Sequence, residues 1–111
     1  MKKILYVGKL TDVQTVIDLS DFDSVWFVYV DEAGDYVNYY KGREGKVDLV
    51  VTDDSVETPN DGLQFARRLH QVCQPVLVLS DWPIKGVPVY SKSMASVDDK
   101  ALLAKIMEVM G

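Results

Sequence analysis

The sequence predicts an α/β protein in which helices cover both faces of a parallel sheet. Short apolar runs alternate along the chain with amphipathic segments of helix length, and no low-complexity linker separates them. The largely apolar run Val47–Thr52 stops abruptly on Asp53 and Asp54, as is typical of a parallel strand buried on both faces. A chain of 111 residues can build one hydrophobic core, so we expect a single domain over residues 1–111.

Five segments are predicted to be strands because they are short and rich in apolar, β-branched or aromatic residues. The third is the most continuously apolar, and the second is the richest in aromatic and β-branched residues. The predicted strands are Lys3–Val7, Ser24–Val30, Val47–Thr52, Pro75–Leu79 and Val87–Tyr90.

Four helices are predicted from apolar stripes at helical spacing and from capping residues. Gly42 is expected to end the second helix, which Gly34 weakens. The last helix opens at Ser96, and two acids in its first turn suit the helix dipole. The four helices are Thr11–Leu19 capped by Thr11 or Asp12, Glu32–Tyr40 capped by Asp31, a third from Asn60 or Asp61 through Val72, and a last one with Leu102, Leu103, Ile106, Met107 and Met110 facing the core.

The connection between the fourth and fifth strands is too short for a helical crossover. It runs from Asp81 to Val87 and includes Pro83 and Gly86, whereas a parallel crossover needs roughly a dozen residues or more. Two alternatives follow. Either the helix at this place is shortened or missing and an extended strap returns the chain, or the fifth strand turns back antiparallel.

Charge and cysteine content narrow the class of function. The net charge is −5, and the basic residues are scattered, so a nucleic-acid partner is not expected. No apolar run is long enough to span a bilayer, so no membrane role is expected. Cys73 is the only cysteine, which rules out an intrachain disulfide and fits a reducing compartment. We therefore expect a cytoplasmic protein.

The two acids after the third strand mark the candidate site. Open α/β folds place their sites beyond the carboxyl ends of parallel strands, where Asp53 and Asp54 are expected to lie. Neighbouring strand residues point to opposite faces, so the two carboxylates are not expected to act as a pair. A metal site that also uses Glu57 or Asp81 is the corresponding enzyme hypothesis.

The order and spacing of short motifs resemble the response-regulator receiver family, the phosphoacceptor module of two-component signalling. The segment Asp48–Asp53 resembles the family's third strand with its terminal phosphoacceptor, and Pro59–Leu69 is similar to the turn and helix that follow it. Pro75–Ser80 looks like the fourth strand, and Val89–Lys92 looks like the fifth. The resemblance covers nearly the whole chain. It implies a flavodoxin-like three-layer sandwich with strand order 2-1-3-4-5.

The resemblance also implies a role for each site residue. Asp53 would accept the phosphoryl group, although counting back from the glycine of the following helix favours Asp54. Lys92 would pair with the phosphoryl oxygens, and Ser80 would be the switch hydroxyl, though Ser80 is equally well a strand-end cap. Tyr90 is the candidate switch aromatic, displaced by one residue from the usual position.

Two positions depart from the family pattern at the end of the first strand. The family has two acids there that hold Mg²⁺ together with the phosphoacceptor, whereas this chain has Gly8 and Lys9. A lysine ammonium repels a hard cation, which leaves Asp53 as an isolated metal ligand. We expect the Lys9 ammonium either to replace the metal, by pairing with Asp53 or Asp54 and lowering the pKa of that acid, or to be an ordinary loop lysine.

Three functional hypotheses follow. The first is a pseudo-receiver that signals by binding a protein partner, a histidine kinase or a downstream regulator, with weak or no aspartate phosphorylation and no enzymatic activity. The second is an active receiver that a histidine kinase phosphorylates on Asp53. The third is a small metal-dependent enzyme built on the same strand ends.

Overall fold

The computed structural model describes residues 1–111 and contains one five-stranded sheet in which every strand is parallel to its neighbours. The strand order is 2-1-3-4-5, as the sequence predicts. The strands are β1 (Lys3–Val7), β2 (Asp23–Phe27), β3 (Leu49–Asp53), β4 (Val76–Leu79) and β5 (Val89–Tyr90).

Five helices cover the two faces of this sheet and complete the three-layer sandwich. None of them combines the length and apolar character needed to cross a bilayer. The helices are α1 (Thr11–Asp18), α2 (Val30–Tyr40), α3 (Asp61–Gln71), α4 (Lys92–Ala95) and α5 (Asp99–Met110).

The side chains of the central strands alternate between two hydrophobic clusters, one on each face. One cluster joins Val50 and Val78 to residues of α2 and α3, including Phe65. The other joins Leu49 and Leu77 to α1, α4 and α5. Because both faces of β3 and β4 are covered, these strands are apolar at almost every position, which explains the continuous runs in the sequence.

The predicted elements are confirmed, with shifted boundaries. The chain forms a fifth helix, the single turn α4, in a segment for which no helix was predicted. The last helix begins at Asp99 and is capped by the Asp98 side chain, which accepts a hydrogen bond from the Ala101 N–H, so the start predicted at Ser96 is wrong. Val30 already belongs to α2, which shortens β2. Met107 is 62% exposed rather than packed in the core.

The N-terminal caps of the first three helices differ from those predicted from the sequence. Leu10 and Tyr29 occupy the N-cap positions of α1 and α2, and neither provides a side-chain cap. At α3 the carboxylate of Asp61 instead accepts hydrogen bonds from the N–H groups of Val56, Glu57, Thr58 and Gly62, which folds the preceding loop onto the helix. These hydrogen bonds outweigh partial burial and lower the pKa of Asp61.

The connection from β4 to β5 is a strap without a helix, and β5 is parallel to β4. Of the two alternatives left open by the sequence, the missing helix is therefore the one that occurs. Ile84 and Val87 of the strap pack against the cluster on the α3 side, where they cover part of the surface that a helix would cover.

Gly62 lies in the first turn of α3, against the end of β3. A Cβ atom at this position would overlap the carbonyl oxygen of Asp53 and would lie 2.9 Å from the Thr52 hydroxyl. The helix can therefore approach the strand this closely only because residue 62 has no side chain.

We predict that Gly62→Ala destabilises the fold by about 3 kcal/mol, because the backbone atoms that meet the new methyl group cannot rotate away. Gly34→Ala in α2 is the matched control. Its Cβ would lie 3.4 Å from Phe65, and removing a helical glycine stabilises by up to ~1 kcal/mol. Urea unfolding followed by circular dichroism measures both changes, and equal effects at the two positions would contradict the prediction.

Candidate functional site

Asp53 is the last residue of β3 and is only 2% exposed. One carboxylate oxygen, Oδ1, accepts a hydrogen bond from the Tyr6 hydroxyl at 2.7 Å. The other, Oδ2, accepts one from the backbone N–H of Lys9 at 3.1 Å. The protein thus supplies a donor to each oxygen of this buried carboxylate.

Tyr6 links Asp53 to the loop between β1 and α1. Its side chain is fully buried in the cluster on the α1 and α5 side. Its hydroxyl donates to Asp53 and accepts a hydrogen bond from the Leu10 N–H at 3.0 Å. Burial and the neighbouring Asp53 carboxylate raise the pKa of Tyr6, so its hydroxyl remains a neutral donor.

Gly8 lies beside this pair, and a side chain at position 8 has no room. A Cβ atom there would overlap both the Asp53 carboxylate and the Tyr6 hydroxyl. The indole Nε1 of Trp26 donates a hydrogen bond to the Gly8 carbonyl at 2.9 Å, which holds the strand end in place. The volume that an acidic side chain would occupy at this position is filled by Tyr6 and Asp53.

Burial dominates the electrostatics of Asp53. Removal from water raises the pKa of the Asp53 carboxyl, and the hydrogen bonds from Tyr6 and Lys9 offset this only in part. The nearby Lys92 charge lowers the pKa of Asp53 and the nearby Asp54 charge raises it. The resulting pKa lies above the ordinary aspartate value.

The ion pair expected from the Lys9 ammonium does not form. The side chain of Lys9 is exposed, and neither Asp53 nor Asp54 lies within ion-pair distance of it. Lys9 contributes its backbone N–H instead. The pKa of Asp53 is accordingly raised rather than lowered as the ion-pair hypothesis required.

Asp54 has a different environment, because adjacent residues of an extended chain point in opposite directions. Its side chain is 15% exposed, and its Oδ1 lies 3.4 Å from the Nζ of Lys92. Lys92 thus forms its ion pair with Asp54 and not with Asp53, the residue to which the resemblance gives the phosphoacceptor role. Asp54, which counting back from Gly62 favoured as the phosphoacceptor, is thus the acid paired with Lys92.

Asp81 fixes the helical turn that carries Lys92. Its carboxylate accepts hydrogen bonds from the Ser91 hydroxyl at 2.9 Å, the Ser93 N–H at 3.0 Å and the Ser93 hydroxyl at 2.6 Å. These bonds, of which those from Ser93 contribute most, lower the pKa of Asp81. Asp81 therefore anchors α4 to the start of the strap.

Ser80 and Tyr90 lie side by side at the ends of β4 and β5. The N–H of Ser80 donates to the Tyr90 carbonyl at 3.0 Å. The Ser80 hydroxyl is buried and accepts a hydrogen bond from the Trp82 N–H at 3.1 Å, as the strand-end cap hypothesis predicts. Tyr90 is half-buried against the cluster on the α5 side.

The residues present do not fit the Mg²⁺ site that the resemblance implies. Mg²⁺ requires several oxygen ligands in octahedral geometry. At the end of β1 the chain offers a glycine without space for a side chain and an exposed lysine, and both Asp53 oxygens already accept hydrogen bonds. No group of three or more His, Cys, Asp or Glu side chains is arranged to hold a metal ion.

Sequence reasoning did not identify Tyr6, Trp26 or the anchoring role of Asp81. For Tyr6 a usable signal existed: a tyrosine in a strand predicted to be central and buried needs a partner for its hydroxyl. The residue two positions later, Gly8, leaves the space in which that partner lies. Trp26 and Asp81 make contacts distant in sequence, for which the local pattern gives no indication.

We predict that Tyr6→Phe destabilises the protein by about 1–3 kcal/mol, because the change leaves a buried carboxylate oxygen and the Leu10 N–H without their partner. Tyr90→Phe is the matched control, since the tyrosine hydroxyls that form hydrogen bonds are those of Tyr6 and Tyr36 and not that of Tyr90. Urea denaturation of the two variants in parallel tests this, and equal stabilities for wild type and Tyr6→Phe would contradict it.

The raised pKa of Asp53 predicts the sign of a pH effect. The folded protein holds this proton more tightly than the unfolded chain, so stability is lost as the pH rises from the ordinary aspartate pKa of about 3.9 through the higher folded value. Asp53→Asn removes the titration. The unfolding free energy of wild type minus that of Asp53→Asn should therefore fall as pH rises from about 3 to 7. A difference that increases with pH would indicate a lowered pKa instead.

Comparison with solved structures agrees with the topology, whereas no protein-family model and no curated protein matches the sequence. The receiver domain of hybrid histidine kinase CckA aligns with a TM-score of 0.69 at 19% identity, over 98% of this chain and 99% of that domain. A response regulator receiver protein from Pseudomonas putida aligns with a TM-score of 0.69 at 20% identity, over 96% of each chain.

A third structure is the N-terminal domain of a response regulator/sensory box/GGDEF 3-domain protein from Carboxydothermus hydrogenoformans. It aligns with a TM-score of 0.70 at 20% identity, over 98% of this chain and 94% of that one. Similarity at this level of identity establishes the architecture rather than the activity. The chain has the fold of response-regulator receiver domains.

Proposed function

We propose that this protein is a receiver-like signalling module that acts by binding a partner protein and does not use Asp53 as a phosphoacceptor. The observation that carries the proposal is the Asp53 carboxylate, which is 2% exposed and has each oxygen engaged by a donor from β1 or the loop after it. The partner classes that fit a receiver fold are a histidine kinase and a downstream regulator.

Phosphoryl transfer to an aspartate requires an accessible carboxylate oxygen. The oxygen attacks phosphorus while the leaving group departs with the electron pair of the broken bond, and nearby positive charge must stabilise the transferred group. Here Tyr6 and Gly8 close the space in front of Asp53, and the Lys9 ammonium points into solvent. Burial also raises the pKa of Asp53 and disfavours the ionised nucleophile.

A second candidate function rests on the Asp54–Lys92 pair. Asp54 is more accessible than Asp53, and its Oδ1 lies 3.4 Å from the Nζ of Lys92. In this alternative Asp54 accepts the phosphoryl group, and Lys92 pairs with the transferred oxygens. The metal-enzyme hypothesis has less support, since no ligand cluster accompanies the two acids.

Incubation with Mg²⁺ and acetyl phosphate, followed by intact-protein mass spectrometry, tests the proposal. We predict that the mass of the wild-type protein does not increase by one phosphoryl group, because the Asp53 oxygens are inaccessible. A stoichiometric adduct that disappears in Asp53→Asn would overturn the proposal.

Two further variants locate any adduct. An adduct that survives in Asp53→Asn and disappears in both Asp54→Asn and Lys92→Ala would establish the second candidate function. A typical active receiver domain treated in the same tube confirms that the reagent is competent. Release of many product molecules per chain would favour the enzyme hypothesis.

A further inference from the structure

An open groove lies between α3 and the strap, beside the candidate site. Its volume is about 540 Å³. Leu63 of α3 and Ile84 of the strap are half-buried in it and provide an apolar floor. Because the strap replaces a helix, this floor is not covered as it would be by a complete helical layer.

Trp82 stands at the side of this groove with its ring free. It is 73% exposed, and its indole N–H has no partner, although its backbone N–H is fixed to the Ser80 hydroxyl. Trp26, the other tryptophan, is 41% exposed and donates its indole N–H to the Gly8 carbonyl. An exposed tryptophan next to an apolar floor is the type of residue that dominates binding energy at protein interfaces.

The groove is also locally basic in an acidic protein. Arg67 and Lys85 line it, are exposed, and form no ion pair. The acid at the inner end, Asp54, is already neutralised by Lys92. Two unpaired cations therefore flank the floor in a chain whose net charge is −5.

We propose that the groove between α3 and the strap binds an acidic segment of a partner protein, in which an aliphatic or aromatic residue is flanked by carboxylates. The apolar residue would pack on Leu63 and Ile84 beside Trp82, and the carboxylates would pair with Arg67 and Lys85. This inference rests on the proposed function, because it assigns a place to the protein contact.

Charge complementarity favours this occupant over two others. A nucleic acid could stack a base on Trp82, but two cations against a net charge of −5 give weak attraction for a phosphate backbone. A second copy of the chain carries the same overall negative charge, so its approach is opposed except through a local acidic segment. Both occupants are therefore treated as outcomes of the test.

Selection of random linear peptides displayed on phage tests the inference without knowledge of the partner. Wild-type protein is the target, and Trp82→Ala is used for counterselection. We expect the enriched peptides to share an apolar residue flanked by Asp or Glu. A chosen peptide, synthesised without tryptophan, should shift the NMR signal of the Trp82 indole and leave that of the Trp26 indole in place.

Affinity measurements on variants make the location specific. Trp82→Ala should weaken binding by more than about 10-fold, and the double variant Arg67→Glu/Lys85→Glu should weaken it by about 10-fold. Lys2→Glu/Lys100→Glu makes the same change in net charge at exposed sites outside the groove and should stay within about twofold. Met107→Ala is the control for loss of an exposed apolar side chain.

Several results would overturn the inference. These are enrichment of neutral or basic peptides, unchanged affinity in the groove variants, absence of any peptide selective for wild type, and binding of single-stranded oligonucleotides instead. Self-association that Trp82→Ala abolishes would assign the groove to a second copy. Each result is independent of aspartyl adduct formation, so failure of the groove and failure of the proposed function are distinguishable.

Discussion

Two buried polar side chains satisfy one another at the carboxyl edge of the sheet, and the local structure depends on this contact. The Tyr6 hydroxyl donates a hydrogen bond to Asp53 and accepts one from the Leu10 N–H, which links β1, β3 and the loop before α1. A buried carboxylate without donors would strongly destabilise the fold, and a buried tyrosine hydroxyl without an acceptor would destabilise it to a smaller extent. The close fit at Gly8 follows from the same packing.

The two consecutive acids are separated by the geometry of an extended chain. Asp53 faces inward to Tyr6, where water is excluded and the pKa rises, while Asp54 faces Lys92 and keeps some contact with solvent. Neighbours in sequence therefore differ in burial, partner and accessibility. As a result, Lys92 lies next to Asp54, whereas the strand pattern had favoured Asp53 as the phosphoacceptor.

Much of the fold could be predicted from the sequence because both faces of the central strands are buried. These strands therefore appear in the sequence as continuous apolar runs. The short connection before Val89 excluded a full helical crossover, but it left open whether the chain returns as a strap or β5 runs antiparallel. The orientation of Lys9 could not be predicted, since a loop residue can offer either its ammonium or its backbone N–H to an acid. Helix α4 could not be predicted either, because it is too short to show an apolar periodicity. It is stabilised by a cap from Ser91 and by three hydrogen bonds to the Asp81 carboxylate.

The shortness of β5 has a consequence for the borders of the sheet. One border is a two-residue strand, which offers few free backbone groups as a template for another chain. The opposite border, β2, is five residues long and only partly shielded. Any lateral addition of a foreign strand, including the first step of cross-β aggregation, is therefore directed to the β2 side of the molecule.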